Sequence, residues 1–483
     1  MGDLSLFLPE AVALLGALVA FAMSVVGVRY RTAWAASLAM ALATLVVTFA
    51  HLGARGEPFF PGIYRVDAFS QVLKLGIVSG LLLTLLAAPS PGSFRARVRI
   101  DAPVFLFIAA LGMMMLVSAT ELLTLFVALE LSAYGLYILA ALHRLQRTGS
   151  EAAAKYILFG AASSAVTIYG ISLLYGLAGT TYLSDLPAAV NAPLGAVAIL
   201  LALAGVLFKL AVFPFHAWAP DAYQGAPHES ATFIGTASKV AAVGILARLL
   251  MLAVPETDSL LMPLLVLCVA SMTVGNLAAI AQNDMKRLLA YSTVAHAGYM
   301  LIGLVCFSEM GTASAIFYGL IYVPVAFCAF IVVCAMGADG TNPDKAALAG
   351  LYRRSPMLGV ALLVGMFGLA GIPPTAGFAG KWFLFSAAIE QGLLWLVLVG
   401  AVNATVSLYY YLRVVREAYL APPPTDVPLR LPPSIALGAW LGVAAVLAVG
   451  VYPRPVWDLA LAAASALGGT VGGVAEGVGG IGQ

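Results

Sequence analysis

Long apolar runs with few charges constrain the fold of this chain more than any other feature. A spanning helix needs about 20 mostly apolar residues, and with Gly, Pro and charge clusters as boundaries we count about 14 such runs. Their centres lie near residues 15, 42, 78, 111, 132, 166, 204, 242, 271, 297, 324, 366, 405 and 443. Of the 483 residues, 62% are hydrophobic and 10% are charged, whereas soluble domains carry about 25% charged residues. The sequence therefore predicts an all-α polytopic membrane protein.

The distribution of Lys and Arg between alternating loops predicts the topology. Loops after odd-numbered helices hold fifteen basic residues: Arg29, Arg31, Arg95, Arg97, Arg99, Arg144, Arg147, Lys286, Arg287, Lys345, Arg353, Arg354, Arg413, Arg416 and Arg430. The opposite side holds four: Arg55, Arg65, Arg248 and Arg454. Because basic loops stay in the cytoplasm, both termini are expected on the non-cytoplasmic side. The first apolar run has no basic residues before it, so we expect a retained helix rather than a cleaved signal.

Charged residues inside the predicted spans are the strongest functional signal. They are Lys74, Lys155, Lys209, Lys239, Lys381 and Glu130. Each costs about 2.5–3.5 kcal/mol at a helix centre on insertion scales, so we expect them to share a polar interior. Glu130 lies about nine residues, or roughly 13 Å, into its helix, too deep for a short side chain to reach water along the helix.

Four of these charges also have a structural interpretation. Glu130 could tie two helices together, and Lys209 could extend its ammonium to the interface. Lys155 follows Glu151 by four residues, and we favour an ion pair there. Lys74 is undecided between a structural role and a relay. Three further acids, Glu10, Asp67 and Glu121, are expected near helix ends at the interface.

Two helices are predicted to be broken. The seventh is interrupted at FKLAVFPFH and the twelfth at GLAGIPPTAGFAGKW. Pro214 removes a backbone N–H and frees a carbonyl, and such breaks are tolerated only beside protein or a wet cavity. Paired breaks indicate a transport site, and by its place after the second break Lys381 is expected to mirror Lys209.

The spacing of the two breaks predicts an internal repeat. Five helices separate them, so two five-helix repeats are expected, the second inverted because five is odd. The expected organisation is a three-helix bundle (1–100), two repeats (101–256 and 257–421), and a last segment (422–483) with a loop, one helix and a Gly-rich, mobile tail.

Other motifs add little chemistry. His216 and His296 lie where a proton relay could pass, although a buried histidine that only hydrogen-bonds a neighbour fits equally well. No histidine or acidic cluster has metal-ligand spacing, the four cysteines form no CxxC pair, and Rossmann and Walker patterns are missing. No basic tract suggests nucleic acid. The sequence therefore predicts neither a metal nor a cofactor site on this chain.

Three motifs carry a family resemblance. FKLAVFPFHAWAPDAYQGAP, KRLLAYSTVAHAGYMLIG and GIPPTAGFAGKW resemble the antiporter-like membrane subunits of respiratory complex I, over roughly 67–416. The YQGAP form is similar to the N-type branch, rather than to the L- and M-type branches or the related sodium/proton antiporter subunits. One departure follows that motif: HESATF stands where relatives usually carry a Thr-Pro segment, so His228 and Glu229 either tune proton uptake or lie in a solvated loop.

The resemblance implies a function and a proton path. It implies a bacterial inner-membrane subunit of a proton-pumping NADH–quinone oxidoreductase, with other membrane and peripheral subunits as partners. In that family a glutamate on the fifth helix and lysines on the seventh, eighth and twelfth carry protons, and these map onto Glu130, Lys209, Lys239 and Lys381. A Glu130–Lys209 ion pair is expected, whose separation releases the lysine's proton to Lys239 and then Lys381. Quinone, NADH, FMN and iron–sulfur clusters are expected in other subunits.

Three alternatives are kept open. A sodium/proton antiporter subunit would use the same lysines and depend on sodium. A metabolite carrier would need a substrate-sized pocket at the broken helices and no partners. A scaffolding subunit would tolerate loss of Glu130 or Lys209 without loss of pumping.

Overall fold

The structure is a computed structural model that describes residues 4–57, 61–89, 94, 98–142, 147–252, 258–425 and 427–472. Over these ranges the chain forms α-helices, short 3₁₀ turns and isolated β-bridges. The Gly-rich tail beyond Gly472 lies outside the described residues, as do His143 and three basic loop residues, Arg95, Arg97 and Arg144.

The first half of the chain passes from long helices to short ones. The helices are α1 (Leu8–Val26), α2 (Tyr30–Ala50), α3 (Ala68–Leu86), α4 (Ala102–Ser118), α5 (Leu122–Ala141), α6 (Arg147–Ala178), α7 (Pro187–Val190), α8 (Gly195–Ala202), α9 (Ala204–Leu210), α10 (Ala219–Gly225), α11 (His228–Gly235) and α12 (Ala237–Leu250).

The second half of the chain is also built of helices. Its helices are α13 (Asp258–Ile280), α14 (Met285–Leu304), α15 (Glu309–Met336), α16 (Leu351–Arg354), α17 (Pro356–Ala370), α18 (Ala376–Glu390), α19 (Leu394–Leu420), α20 (Pro433–Val451) and α21 (Arg454–Gly472).

Polar side chains fix where several helices begin. The Asp67 carboxylate accepts the Ser70 N–H at 2.7 Å, and Ser70 Oγ accepts the Asp67 N–H at 3.0 Å, which forms a capping box at the start of α3. Asp284 accepts the Arg287 N–H at 2.9 Å at the start of α14. These caps satisfy N–H groups that have no partner within the helix.

The centre of the molecule is built around α15 and the α11–α12 pair. Helix α15 packs against α12, α14, α17, α18, α20 and α21. Every residue from 228 to 250 is buried, including His228, Glu229, Lys239 and Arg248. Arg248 is held there by Asp67, 3.4 Å away, and by the Val117 carbonyl at 3.0 Å. These charged side chains therefore lie inside the helix bundle rather than on its surface.

The predicted helices are largely found. All fourteen predicted centres fall within helices, and in the described residues ten helices are long and apolar enough to span a bilayer. The count of fourteen spans and the inverted orientation of the repeats stay predictions. The breaks in helices seven and twelve are confirmed, between α9 and α10 and between α17 and α18.

Two features escaped the sequence analysis. The eighth predicted helix is also interrupted, at Thr236 between α11 and α12, where φ is −122° and ψ is −85°. Helix α21 packs against α15 and α3, but its segment includes Arg454, Asp458 and a glycine pair that lower its hydropathy. The interruption at Thr236 has no proline like those at the two predicted breaks.

Candidate functional site

The first helix break gathers two lysines. Helix α9 ends at Leu210, and Ala211 takes the left-handed conformation with φ of 66°. The Val212 N–H then bonds back to the Leu207 carbonyl at 3.0 Å, and the break leaves the last carbonyls of α9 without helical partners. The Lys239 ammonium from α12 donates to two of these, Lys209 O at 2.9 Å and Leu210 O at 3.4 Å.

Lys209 points the other way, toward α5. It is 5% exposed, and its ammonium donates to Ser132 Oγ at 2.7 Å. The Ser132 hydroxyl in turn donates a hydrogen bond to the Leu129 carbonyl at 2.7 Å. Lys209 therefore joins α9 to α5 through a hydroxyl, while its backbone carbonyl contacts Lys239.

Glu130 faces the same small cavity as Lys209 without touching it. The cavity is also lined by Ser163 and Ser164, and Ser164 Oγ donates to the Glu130 carboxylate at 2.5 Å. The direct Glu130–Lys209 ion pair expected from the resemblance is not formed here, among the residues described. The reason is that each charge already has a serine partner, on α6 for Glu130 and on α5 for Lys209.

The second break repeats the geometry of the first. Helix α17 ends at Ala370, Gly371 has a φ of 84°, and the Ile372 N–H bonds to the Phe367 carbonyl at 2.9 Å. The Lys381 ammonium donates to Leu369 O at 3.2 Å and to Ala370 O at 2.8 Å. In its contacts Lys381 therefore matches Lys239, and the expectation that it mirrors Lys209 is corrected.

His296 lies in a hydroxyl network next to the second break. Its Nδ1 is 2.8 Å from the Tyr318 hydroxyl and its Nε2 is 3.1 Å from the Tyr411 hydroxyl. Tyr411 in turn lies 2.5 Å from Ser292 Oγ. Lys381 is an electrostatic neighbour of the imidazole. The network gives His296 proton-transfer partners on both ring nitrogens.

His216 has a different environment. It is half-buried in the segment after the first break, with its ring 5.4 Å from that of Phe213. Its Nδ1 has no hydrogen-bond partner within the described part of the chain. The structure thus joins His296, and not His216, to a hydrogen-bonded network.

The two remaining lysines are ion-paired. Lys155 lies 2.7 Å from Glu151, as expected, and 2.8 Å from Asp221, which also binds Arg287 at 2.5 Å. Asp221 belongs to the PDAYQGAP motif, which therefore ties α6 to α14. The Lys155 side chain is 40% exposed, so it lies at the rim of the helix bundle rather than in its interior.

Lys74 pairs with an acid that the sequence analysis placed at the interface. Its ammonium is 2.6 Å from Glu10, and both side chains are fully buried. The Tyr64 hydroxyl also donates to Glu10 at 2.7 Å. Glu10 lies in the first turn of α1, near a helix end as expected, but it is fully buried rather than exposed at the interface, because Lys74 of α3 compensates its charge.

Several functional candidates gave no clear sequence signal. Ser132 and Ser164 are ordinary serines in apolar helices, and only their contacts single them out. Lys286 was assigned to a loop, but it is 1% exposed and donates to the Ala226 carbonyl at 2.7 Å. His228 and Glu229 are 2% and 4% exposed, which excludes the solvated-loop interpretation.

Comparison with known proteins places this chain in a family. Residues 119–407 match the family described as "NADH:quinone oxidoreductase/Mrp antiporter, TM". A relative named NADH-quinone oxidoreductase subunit N 2, from Syntrophobacter fumaroxidans, is 46% identical over 437 residues, which cover 89% of this chain and 92% of the relative. A relative of the same name from Opitutus terrae is 41% identical over 455 residues, covering 92% and 95%.

Solved structures give the same grouping. A chain of respiratory complex I from Thermus thermophilus with bound aureothin is similar with a TM-score of 0.82 and 35% identity, covering 94% of this chain and 99% of that one. A chain of the Mrp complex from Dietzia sp. DQ12-45-1b has a TM-score of 0.84 at 23% identity, covering 95% and 98%. The second likeness concerns the fold alone.

Proposed function

The chain belongs to the family of NADH:quinone oxidoreductase and Mrp antiporter membrane subunits, and we propose that it translocates protons as the N-type membrane subunit of an NADH–quinone oxidoreductase. The observation that carries this proposal is the occupation of both helix breaks by a buried lysine. Lys239 binds the last two carbonyls of α9, the half-helix before the first break, and Lys381 binds the last two carbonyls of α17, the half-helix before the second break. Such a placement is costly and is typical of ion paths in membranes.

The break carbonyls and the burial have opposite effects on the protonation of these lysines. A helix C-terminus carries partial negative charge and favours the ammonium, whereas exclusion of water favours the neutral amine. A small change in nearby charge can therefore move a proton on or off the side chain. This balance makes each break a switchable proton-binding position.

Glu130 supplies the nearby charge. Its carboxylate leaves Ser164 and approaches Lys209 across their shared cavity, which favours the protonated lysine. Return of the carboxylate to Ser164 releases the proton from Lys209, and Lys239 accepts it at the adjoining carbonyls. His296 then relays the proton between Lys239 and Lys381, which passes it toward the exit.

The driving reaction takes place elsewhere in the complex. NADH, FMN, iron–sulfur clusters and quinone bind to other subunits in this account, and quinone reduction there changes the charge near Glu130. This chain contributes the proton path and contacts other membrane and peripheral subunits. We place the Arg- and Lys-rich loops in the cytoplasm and both termini on the opposite side of a bacterial inner membrane.

The two broken helices also support the five-helix repeats. The sequence from Ala211 to Pro214 and that from Gly371 to Pro374 have the same order of left-handed residue, returning N–H and proline. We assign residues 101–256 and 257–421 to the two repeats, preceded by the bundle 1–100 and followed by residues 422–483. In this assignment each repeat supplies one break to the proton path.

Purification from the native membrane tests the assignment. The tagged chain, extracted in mild detergent, should bring down a multi-subunit, iron–sulfur-containing complex with NADH:quinone activity. In proteoliposomes its proton pumping should not depend on sodium. Recovery of the chain alone, or with several small antiporter subunits and no redox activity, would contradict the proposal and favour a sodium/proton antiporter.

A further inference from the structure

A second group of buried titratable residues lies at the other end of the α11–α12 pair from Arg248. His228 and Glu229 form the first turn of α11, and Lys286 lies in the first turn of α14. Their exposed fractions are 2%, 4% and 1%. None of the three belongs to the lysine path described above, so their burial needs its own explanation.

The surroundings of Glu229 connect it to both the interior and the surface. Its carboxylate interacts electrostatically with Lys286 and with Cys334 of α15, in the interior. Toward the surface it interacts with Tyr30 and Arg99, which are both partly exposed. Asp284 is a further charged neighbour of Lys286. The carboxylate thus lies between groups that meet solvent and groups that do not.

Hydroxyl groups continue from this cluster along one face of α11. Thr232 Oγ1 donates to the His228 carbonyl at 2.8 Å and lies 3.5 Å from the Cys334 sulfur. Thr236 Oγ1 donates to the Thr232 carbonyl at 2.7 Å. Positions 228, 232 and 236 are spaced by four residues and so share a helix face.

This face ends three residues before Lys239. Helix α11 stops at Gly235, and the Thr236 carbonyl at the interruption accepts the backbone N–H of Lys239 at 3.1 Å. From His228 to Lys239 is about 16 Å at 1.5 Å per residue. The interruption frees backbone groups in the interior, so polar atoms are available at each turn between the cluster and the lysine.

We infer that His228, Glu229 and Lys286 form the proton-uptake site of this subunit, which loads Lys239 from the side of the basic loops. Glu229 takes a proton from water at the partly exposed Arg99 and Tyr30, and this proton leaves along the Thr232 and Thr236 face to the neutral amine of Lys239. Lys209 takes its proton from Lys239 when Glu130 approaches, and returns it when Glu130 withdraws. This inference rests on the proposed proton-translocating function and adds the route by which protons arrive.

Glu229→Gln tests the route, because glutamine keeps the shape and hydrogen bonding but cannot carry a proton. In the intact complex in proteoliposomes, we expect NADH-driven proton uptake to fall at least about tenfold at pH 8.5, with a smaller loss at pH 6, where protons are abundant. Glu229→Asp should restore most of the rate. Added formate, a small acid that can deliver protons, should partly rescue Glu229→Gln.

Ser230→Ala is the matched control. Ser230 is equally buried on the same helix, but its hydroxyl donates to the Leu139 carbonyl at 3.1 Å and so points away from the cluster. It should keep the wild-type pH profile. Normal uptake by Glu229→Gln across the pH range would overturn the inference, and so would a loss that is independent of pH and not rescued by formate. If Lys239→Met also pumped normally, the proposed function itself would fail.

Discussion

Ser132 fixes the position of the Lys209 ammonium. Its hydroxyl accepts a hydrogen bond from the Lys209 ammonium at 2.7 Å. This bond keeps the ammonium away from Glu130 in this conformation. Charged residues in apolar runs are easy to find in a sequence because each one is costly to insert. Serines carry no such cost, so the four charges of the proposed path could be singled out from the sequence, and the serines that separate Glu130 from Lys209 could not.

We predict that Ser132→Ala impairs pumping. The variant leaves a buried ammonium without its acceptor, at a cost of about 1–3 kcal/mol or more, so Lys209 should shift toward Glu130 or lose its proton. The ratio of protons pumped per electron should fall while electron transfer with an uncoupler persists. Ser163→Ala is the control, since Ser163 lines the same cavity but donates to the Ala204 carbonyl at 2.9 Å. Equal ratios for the two variants would contradict this role.

Helix breaks are the elements at which Lys239 and Lys381 bind backbone carbonyls. Proline-containing segments predicted two of them, and both were found where expected. The third, at Thr236, has no proline and was missed, because only the backbone of the folded chain reveals that α11 and α12 are separate. The lysines were assigned to helices correctly, but which carbonyls they bind depends on how α12 and α18 pack, and the sequence contains no direct signal for that.

Opposite substitutions at the equivalent positions of the two breaks should have opposite effects. Ala211 has a φ of 66°, and Gly371 has a φ of 84°. Left-handed backbone costs about 1–2 kcal/mol for a residue with a Cβ, so Ala211→Gly should raise the thermal unfolding temperature of the complex slightly. Gly371→Ala should lower it, and its Cβ would lie 2.9 Å from Lys381 Cδ, displacing the ammonium. An unchanged unfolding temperature and full pumping by Gly371→Ala would contradict this role of Gly371 at the second break.

Close packing of α18 on α17 depends on Gly377. A Cβ at this position would lie 1.8 Å from the Gly368 carbonyl oxygen, which no local adjustment of a side chain can relieve. Gly377→Ala should therefore destabilise the second break, by more than about 3 kcal/mol if the helix cannot shift, and reduce the amount of assembled complex. Gly176→Ala in α6 is the control, because nothing lies within 4 Å of its Cβ; similar losses for both would point away from α17–α18 packing.

At the scale of the whole molecule, ion pairs connect segments that are far apart in the sequence. Asp221 contacts Lys155 of α6 and Arg287 of α14, so the PDAYQGAP motif that carries the family resemblance also ties α6 to α14. The fold class followed from hydropathy alone. The buried α11–α12 pair and the packing of α21 did not, because they depend on contacts between distant segments.

The most direct test of the account is the number of protons pumped per electron by the complex carrying Lys239→Met, measured in proteoliposomes. Methionine fills the space of the lysine stem but cannot hold a proton or bind the Lys209 and Leu210 carbonyls as an ammonium. Lys155→Met is the control, since the Lys155 side chain is 40% exposed and its ammonium is already ion-paired. We expect a reduced ratio for Lys239→Met and an unchanged ratio for Lys155→Met. A full ratio in assembled Lys239→Met complex would show that protons do not pass through the lysines at the helix breaks.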